Sequence, residues 1–452
     1  MADLSDEAEA FLTVNPDVKT LDAFIIDLCG NPVGKRYPAT DIPKLFSDGS
    51  TMCAAMQLTD AQGVSWDTLG YGFSDGDPDC PCWPVPGTLR PVPWASEPRA
   101  QCLMRLTEAD RTTPIWFEPR TVLERVVAHF ADLGLKPVVA LELEFYLIDR
   151  ERNGEGGPQH ALLPGQGGIR SSAGQVFNMS VMDAFAPVVD AIAAACKDQG
   201  VPVTTIAKEY GVGQFEFNLA HLSDPVAAAD HGVLQRRIVR EVARVQGYDA
   251  TFMSKPFAED SGSGLQVNLS IQDSDGNIFD PRRTDGDARL GHAIAGMQAM
   301  LAESFAIFAP NLNAYRRFEP DQFTPVTSDW GENNRSVAFR VPASDPENRR
   351  IEHRAAGAEA NPYLVTAAVL AAAHHGLTNT LTPTAEGTGN VGAEIDPSMP
   401  LQLWTALDRF QAAKVLPDYF GARYIEAYAH VKQSEFESFM TAILPREHAW
   451  YL

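Results

Sequence analysis

The stretch PVVALELEFYLIDR, residues 137–150, places two glutamates inside a run of residues that is typical of a β-strand. Glu142 and Glu144 are two positions apart, so on a strand their side chains project from the same face. Two neighbouring carboxylates repel each other unless a cation lies between them. The pair indicates either a metal site or a solvent-facing strand of alternating polarity, and the apolar residues on both sides favour burial.

Two later segments also place polar side chains where a strand is expected. Residues 208–218, KEYGVGQFEFN, contain two glutamates beside a glycine-rich turn, although a surface loop with ordinary acids would look the same. In residues 262–270, GSGLQVNLS, the glycines let backbone N–H groups approach a ligand closely, which alone is weak evidence for a site. The candidates in these segments are Glu209, Glu216, Gly262, Gln266, Asn268 and Ser270.

The fourth region consists of two segments, residues 334–340 and 350–354, and carries a cluster of arginines around one glutamate. Arginine forks bind carboxylate and phosphate groups in a two-pronged manner, and a surface cluster of ion pairs is the alternative interpretation. The members of the cluster are Arg335, Arg340, Arg350, Glu352 and Arg354. Together, the four regions predict one site with carboxylates for Mg²⁺ or Mn²⁺ and arginines for anionic groups.

The order of apolar patterns predicts an α+β fold with a mainly antiparallel sheet. Residues 1–20 are expected to be a frayed lead-in, and Ala23–Asp27 with Val33–Tyr37 are expected to form a hairpin. Residues 21–115 are predicted to be a small β-rich domain, and residues 116–452 a larger domain with helices. One of those helices is predicted over residues 361–376, with Asn361 as its cap and Gly376 at its end.

The composition excludes several classes of function. With 36 basic and 59 acidic side chains the formal net charge is −23, which repels nucleic acid and anionic lipid. Neither an apolar run of 18 residues nor a signal-peptide pattern is found, so we expect a cytoplasmic protein without a membrane partner. The close cysteine pair in residues 79–83 has no second pair to complete a zinc site.

The order and spelling of these segments resemble the glutamine synthetase family from about residue 20 onwards, and within it the bacterial gamma-glutamylpolyamine synthetases (glutamate–putrescine ligases). The resemblance is carried by DLCGNPVGKRYP, PVVALELEFYLIDR, GQFEFNL, ATFMSKPFAEDSGSG, APNLNAYRRFEP, NNRSVAFRVP and RIEHRAAGAEANPYL. It implies an N-terminal β-grasp domain, a larger catalytic domain, and a homo-oligomer that is usually a dodecamer of two hexameric rings. It also implies an ATP-dependent reaction in which glutamate becomes a gamma-glutamyl phosphate that an amine attacks.

The same resemblance implies a role for each candidate residue. By position, Glu144, Glu209 and Glu216 match the first metal site, and Glu142 and Glu352 match the second. Arg335 matches an arginine that stabilises the transferring phosphoryl group, and the nucleotide is expected at Asn268, Ser270, Arg340 and Arg350. Gly262, Arg317 and Arg354 match glutamate-binding positions. Asp77, in a less certain match, corresponds to an acid that an adjacent subunit contributes to receive the amine.

The sequence departs from the family pattern in the GSG strand. Gln266 and Asn268 stand where the family has two histidines, a ligand of the second metal and a contact of the ATP phosphates. We expect Gln266 to offer a carbonyl oxygen to the metal and Asn268 to donate a hydrogen bond to phosphate. The alternative is a catalytically impaired paralogue with a binding or regulatory role.

A second departure concerns the amine. Phe323 stands where members that use ammonium carry a glutamate, and a phenyl ring cannot take a proton from ammonium but can pack against an alkyl chain. The expected acceptor is therefore putrescine, another polyamine, a small alkylamine or a more unusual amine. Glu332 and Asp329 are candidates to receive a distal ammonium group, or they are ordinary exposed acids.

Overall fold

Two β-sheets organise the chain in a computed structural model that describes residues 4–164, 170 and 175–452. The helices are α1 (Leu4–Val14), α2 (Ile42–Asp48), α3 (Pro119–Asp132), α4 (Met179–Asp198), α5 (Pro225–Val245), α6 (Gly286–Phe308), α7 (Pro362–Thr378), α8 (Leu403–Gln411), α9 (Leu416–Phe420), α10 (Ala422–Met440) and α11 (Pro445–Tyr451). The strands are β1 (Thr20–Ile26), β2 (Pro32–Pro38), β3 (Ser50–Cys53), β4 (Asp79–Pro84), β5 (Arg90–Pro91), β6 (Arg99–Leu106), β7 (Lys136–Ile148), β8 (Val203–Lys208), β9 (Gln214–Leu219), β10 (Asp249–Thr251), β11 (Leu265–Asp273), β12 (Gly276–Asn277), β13 (Trp330–Glu332), β14 (Phe339–Val341) and β15 (Ile351–His353).

The N-terminal sheet has the order β2-β1-β6-β4-β3, with β5 beside β6. The predicted hairpin is present as β1 and β2, which pair antiparallel with Ala23 opposite Lys35. Strands β1 and β6 pair in parallel, so the sheet is mixed. The division of the chain at residue 115 stays a prediction.

The expectation of a frayed lead-in is wrong for residues 4–14, which form α1. Leu4, Ala8, Phe11 and Leu12 recur at helical spacing, and Ala8 is fully buried against the N-terminal core. Glu7 adds a tertiary contact, because its carboxylate accepts a hydrogen bond of 2.9 Å from the backbone N–H of Gly87. The acidic residues between these apolar positions made the helical spacing difficult to detect in the sequence.

The larger sheet has the order β13-β14-β15-β11-β7-β9-β8 and is antiparallel except for the pair β13 and β14, as the apolar pattern predicted. Strand β7 lies at its centre, between β11 and β9. Helix α5 covers one face so closely that a Cβ on Gly232 would lie 2.8 Å from Leu141 Cδ1. That face is apolar, and the polar side chains of the sheet lie on the other.

Helix α7 begins as predicted, with the Asn361 side chain accepting a hydrogen bond of 3.0 Å from Tyr363 N–H. It continues through Gly376 to Thr378, two residues beyond the predicted end. Gly376 is helical because it lies at the crossing with α6, where a Cβ on Gly296 would lie 2.0 Å from Ala372 O. Glycine there permits backbone contact between two helices rather than ending one of them.

Helix α4 is long and apolar enough, by length and composition alone, to cross a membrane. It buries Phe185, Val188 and Ile192 in the core and carries Asp183 and Asp190. Those features are ordinary for a core helix of a soluble protein.

The α6–α7 crossing generates a stability prediction. Gly296→Ala should lower the free energy of unfolding by about 1–3 kcal/mol, because the added methyl group has to push two helix backbones apart. Gly291→Ala in the same helix is the matched control, since its Cβ would make only ordinary contacts of 3.5 Å with Pro383. Thermal denaturation of both variants measures the difference, and equal melting temperatures would contradict the assignment of Gly296 to a close crossing.

Candidate active site

The register of the larger sheet gathers polar side chains on one face. Glu142 of β7 lies opposite Gln266 of β11 on one side and opposite Asn218 of β9 on the other. Glu144 of β7 lies opposite Glu216 of β9. Because side chains alternate along a strand, every second residue of three neighbouring strands points to the same side.

This face forms the wall of a cavity of about 630 Å³. The cavity brings together most of the residues that the sequence singled out, from both the acidic and the arginine-rich segments. Those that line it are Glu142, Glu144, Glu209, Glu216, Gly262, Gln266, Arg317, Phe323, Arg335, Arg340, Arg350, Glu352 and Arg354. Their individual roles stay predictions.

Five predicted residues do not line this cavity, and one of them, Asp329, is half-buried just before β13. Asn268 is buried in its wall, and Ser270 lines an adjoining cavity of about 530 Å³ that shares Arg350 with the first. Asp77 is exposed in a loop of the N-terminal sheet. Glu332 is exposed on β13, where its carboxylate pairs with Arg349 at 2.8 Å.

The carboxylates at the centre of the cavity, Glu142, Glu144, Glu209 and Glu216, are half-buried, and nearby arginines offset their charge only in part. Burial first, and then repulsion from Glu209, raises the pKa of Glu144 to about 7. Burial also raises the pKa of Glu216 well above its usual value, with further contributions from Glu142, Glu144 and Glu209. Among the residues that the structure describes, none of these four carboxylates has an ion-pair partner within 4.0 Å. Neutral donors hold Glu144 instead, including Gly264 N–H at 2.8 Å.

Glu352 has the opposite environment, although it is almost completely buried. Burial alone would raise its pKa, but Arg354 and Arg340 outweigh that effect and lower it. Arg340 Nη1 lies 2.7 Å from one carboxylate oxygen, and Arg354 Nη1 donates to the other. The cavity wall is therefore acidic around Glu216, where the carboxylates form no ion pairs with described residues, and neutralised around Glu352.

The arginines of the cavity retain free hydrogen-bonding capacity. Arg317, Arg340 and Arg354 each have a buried Nε–H group with no hydrogen-bond partner in the described part of the chain. An unpaired buried donor on a cationic group is costly unless a ligand satisfies it. Three such groups on one cavity suit a ligand with several anionic oxygens.

Gly262 lies against Arg317 at the rim of this region. A Cβ at position 262 would lie 2.6 Å from Arg317 Cγ and 3.0 Å from Ser254 O. Any side chain here would therefore displace the arginine. The close approach leaves the backbone accessible to a ligand, as the GSG pattern indicated.

Aromatic side chains stand at the mouth of the cavity. Phe323 is 54% exposed, and its ring centroid lies 6.2 Å from that of Tyr210, which is 50% exposed. Phe177 also lines the cavity. These rings offer an apolar surface next to the acidic wall.

Several lining residues were not singled out from the sequence. Gln214 is buried, and its Nε2 donates to Glu144 Oε2 at 3.3 Å and to Gly262 O at 3.0 Å. Asn218 lies on the same face. Their period-two spacing with Glu216 was available as a signal, since alternate residues of β9 share a face. Lys255 and Tyr210 had no such signal, because loops bring them to the cavity.

The chemistry of the donor set fits a divalent cation at the acidic end of the cavity. Glu144, Glu209 and Glu216 supply carboxylate oxygens, which Mg²⁺ and Mn²⁺ prefer. Among the described residues, no three acidic, histidine or cysteine side chains are already gathered as ligands of one ion. A cation would therefore have to draw these carboxylates together, which relief of their mutual repulsion would favour.

Comparisons with known proteins agree with this geometry. A family profile described as "Glutamine synthetase, catalytic domain" matches residues 117–451. Gamma-glutamylputrescine synthetase PuuA of Escherichia coli is 36% identical, over 99% of this chain and 94% of that protein. Glutamate–isopropylamine ligase of a Pseudomonas species is 30% identical, over 96% of this chain and 95% of that protein.

A solved structure shows the same fold. The structure titled "Apo GmaS without ligand" has a TM-score of 0.84 and 24% identity, and the match covers 100% of this chain and 99% of that one. The predicted α+β fold of the family is thus confirmed. With a catalytic-domain match over most of its length and a 36% identical relative over nearly all of it, the chain belongs to the glutamine synthetase family.

Proposed function

We propose that the protein is an ATP-dependent ligase that joins the side-chain carboxylate of glutamate to an amine other than ammonium. The observation that carries the proposal is the composition of one cavity. In the described part of the chain, its wall combines carboxylates that have no ion-pair partner, arginines with unpaired N–H groups, and an aromatic mouth. These are the groups needed for cations, for anionic oxygens and for an alkyl chain.

Glutamate and phosphate are the anions that suit the arginines. Arg317 and Arg354 are assigned to glutamate together with the backbone at Gly262, and Arg335 to the transferring phosphoryl group. Arg335 is exposed and lines the cavity near Glu209, whose raised pKa it partly offsets. Such positioning and charge neutralisation account for most of the catalysis in phosphoryl transfer.

ATP is assigned to the junction of the two cavities. Arg350 lines both of them, and Ser270 with His221 lines the adjoining one. A nucleotide that extends through the junction would direct its phosphates at the arginines and carboxylates. Mg²⁺ or Mn²⁺, held by Glu144, Glu209 and Glu216, would neutralise the charge that develops on the phosphoryl oxygens.

The proposed reaction has two steps. A side-chain oxygen of glutamate attacks the terminal phosphorus of ATP, and ADP leaves with the electron pair of the broken bond between that phosphorus and the bridging oxygen. The nitrogen of the neutral amine then attacks the carbonyl carbon of the gamma-glutamyl phosphate. Phosphate leaves with the electron pair of the broken C–O bond, and the nitrogen loses one proton to solvent to form the amide.

The acceptor is assigned from the mouth of the cavity and from the relatives. Phe323 offers an apolar surface and no carboxylate at that position. The names of the two relatives specify putrescine and isopropylamine. Putrescine, another polyamine or a small alkylamine is the proposed class, with Glu332 as a candidate for a distal ammonium group.

The assembly and location are part of the proposal. Asp77 lies outside the cavity of its own chain, which is consistent with a contribution to the site of an adjacent subunit in a ring, as in a dodecamer. A cytoplasmic location is proposed, because the reaction consumes ATP.

A second candidate function is a binding or regulatory paralogue with impaired catalysis. Gln266 and Asn268 favour it, since amides replace both histidines of the family pattern. Binding of glutamate or nucleotide without turnover is what this alternative predicts.

Phosphate release should distinguish the two functions. With ATP, glutamate and Mg²⁺, we expect release to depend on an added amine and to be greater with putrescine or a small alkylamine than with ammonium. Mass spectrometry should detect the matching gamma-glutamyl amide. If no amine of a broad panel raises phosphate release while glutamate or ATP still binds, the protein has the binding or regulatory function and not the ligase activity.

Phe323→Ala tests the amine surface. Loss of one apolar contact of about 1–3 kcal/mol should raise KM for an alkylamine by roughly 5- to 150-fold and leave KM for glutamate unchanged. Phe439→Ala is the matched control, because Phe439 is 49% exposed and does not line the cavity. An equal effect on both substrates would argue against a role in amine binding.

Opposite effects on stability are expected from replacing half-buried Glu216 and buried Glu352. Without divalent cations, Glu216→Gln should raise the melting temperature at pH 8, because it removes a carboxylate whose ionisation burial disfavours. The gain should shrink as the pH falls through the raised folded-state pKa, where Glu216 is already protonated.

Glu352→Gln is the counterpart. It should lower the free energy of unfolding by about 3–5 kcal/mol, because it leaves buried Arg354 and half-buried Arg340 without their ionic partner. Differential scanning fluorimetry across pH 5–9 compares the variants. A destabilising Glu216→Gln would show that its charge is compensated by groups other than those described.

A further inference from the structure

The amide of Gln266 is held between a guanidinium group and two carboxylates. Arg354 Nη1 donates to Gln266 Oε1 at 3.0 Å. On its other side, Gln266 Nε2 lies 3.2 Å from Glu144 Oε1 and 3.5 Å from Glu216 Oε2. The residue thus connects the arginine-rich half of the wall to the acidic half.

Asn268, two positions along the same strand, repeats this arrangement. Arg350 Nε donates to Asn268 Oδ1 at 2.8 Å, and Asn268 Nδ2 donates to Glu142 Oε1 at 2.8 Å. The order arginine, amide and carboxylate therefore occurs twice on one strand.

The chemistry of the partners determines which way each amide points. A guanidinium group only donates hydrogen bonds, so the amide oxygen has to face it. An ionised carboxylate only accepts, so the NH₂ group has to face the glutamate. Gln266 therefore presents N–H bonds, and not a free lone pair, to the acidic half of the wall. This differs from the expectation that its carbonyl oxygen serves a metal ion.

The same guanidinium nitrogen also reaches Glu352. Arg354 Nη1 donates both to Gln266 Oε1 and to Glu352 Oε1, and Arg340 Nη1 lies 2.7 Å from Glu352 Oε2. A positive charge thus lies between Gln266 and Glu352, the two positions at which the family pattern has ligands of the second metal. A cation at that position would have to displace Arg354, against charge repulsion.

We infer that Arg354, oriented by Gln266, takes the place of the second cation, so that each nucleotide-free subunit binds one divalent cation tightly, at Glu144, Glu209 and Glu216. The inference deepens the proposed function, because it specifies the metal content of the proposed ligase site. Gln266 and Asn268 act as positioning residues, since they orient charged groups without contacting the reacting atoms.

Manganese binding tests the inference without any substrate. The full chain, stripped of metal with a chelator, is titrated with Mn²⁺, and free Mn²⁺ is read from its electron paramagnetic resonance signal. We expect one tight site per subunit, with any second site at least about 100-fold weaker. Two sites of comparable affinity would overturn the inference.

Two variants test where the tight Mn²⁺ site lies and whether the two amides are the reason that there is only one. Glu216→Gln should abolish the tight site, and retention of one tight Mn²⁺ would refute the assigned location. Gln266→His with Asn268→His restores ring nitrogens and should raise the count from one to two. A folded double variant that still binds one ion would refute the role of the amides.

The number of bound Mn²⁺ ions tests the inference, and the ligase assay tests the proposed function, so either can be rejected without the other. One tight site in a protein without ligase activity would support the inference and reject the proposed function alone. Two tight sites in an active ligase would do the reverse. If the double variant does not fold, the counts for the parent and for Glu216→Gln still decide the question.

Discussion

Repulsion among half-buried carboxylates is the constraint on which the candidate site depends. The face of the larger sheet places Glu142, Glu144 and Glu216 side by side, and burial raises the pKa of each. Such a cluster is unfavourable in an isolated sheet. The structure tolerates it because the opposite face of the sheet packs on helices and because neutral donors, such as Gly264 N–H, orient the oxygens. The site therefore favours cation binding before any substrate arrives.

The second organising feature is the separation of charge within one cavity. At the acidic end the carboxylates have no ion-pair partner among the described residues, whereas Glu352 at the other end is neutralised by Arg340 and Arg354. Gln266 joins the two ends through hydrogen bonds to Arg354 and Glu144. This polarity would align a molecule that carries anionic oxygens on one side and a bound cation on the other.

Much of the fold could be predicted because its signals are local. The hairpin of β1 and β2, the cap at Asn361 and the central strand β7 are each encoded by neighbouring residues. The errors arose where a distant contact overrides a local signal. Residues 4–14 are helical because they pack on the N-terminal core, and α7 passes through Gly376 because that glycine contacts α6.

The sequence by itself determined the family, the acidic and arginine-rich segments and the loss of both histidines, since residue identity and order suffice for these. Only the tertiary structure decided how the segments meet. Antiparallel register sets Glu144 opposite Glu216 and brings Gln266 between a carboxylate and Arg354. The direction of the Gln266 amide follows from partners that are 88 and 122 residues away in the chain. No local pattern encodes such an orientation, because it depends on which charges the completed fold brings to each end of the side chain.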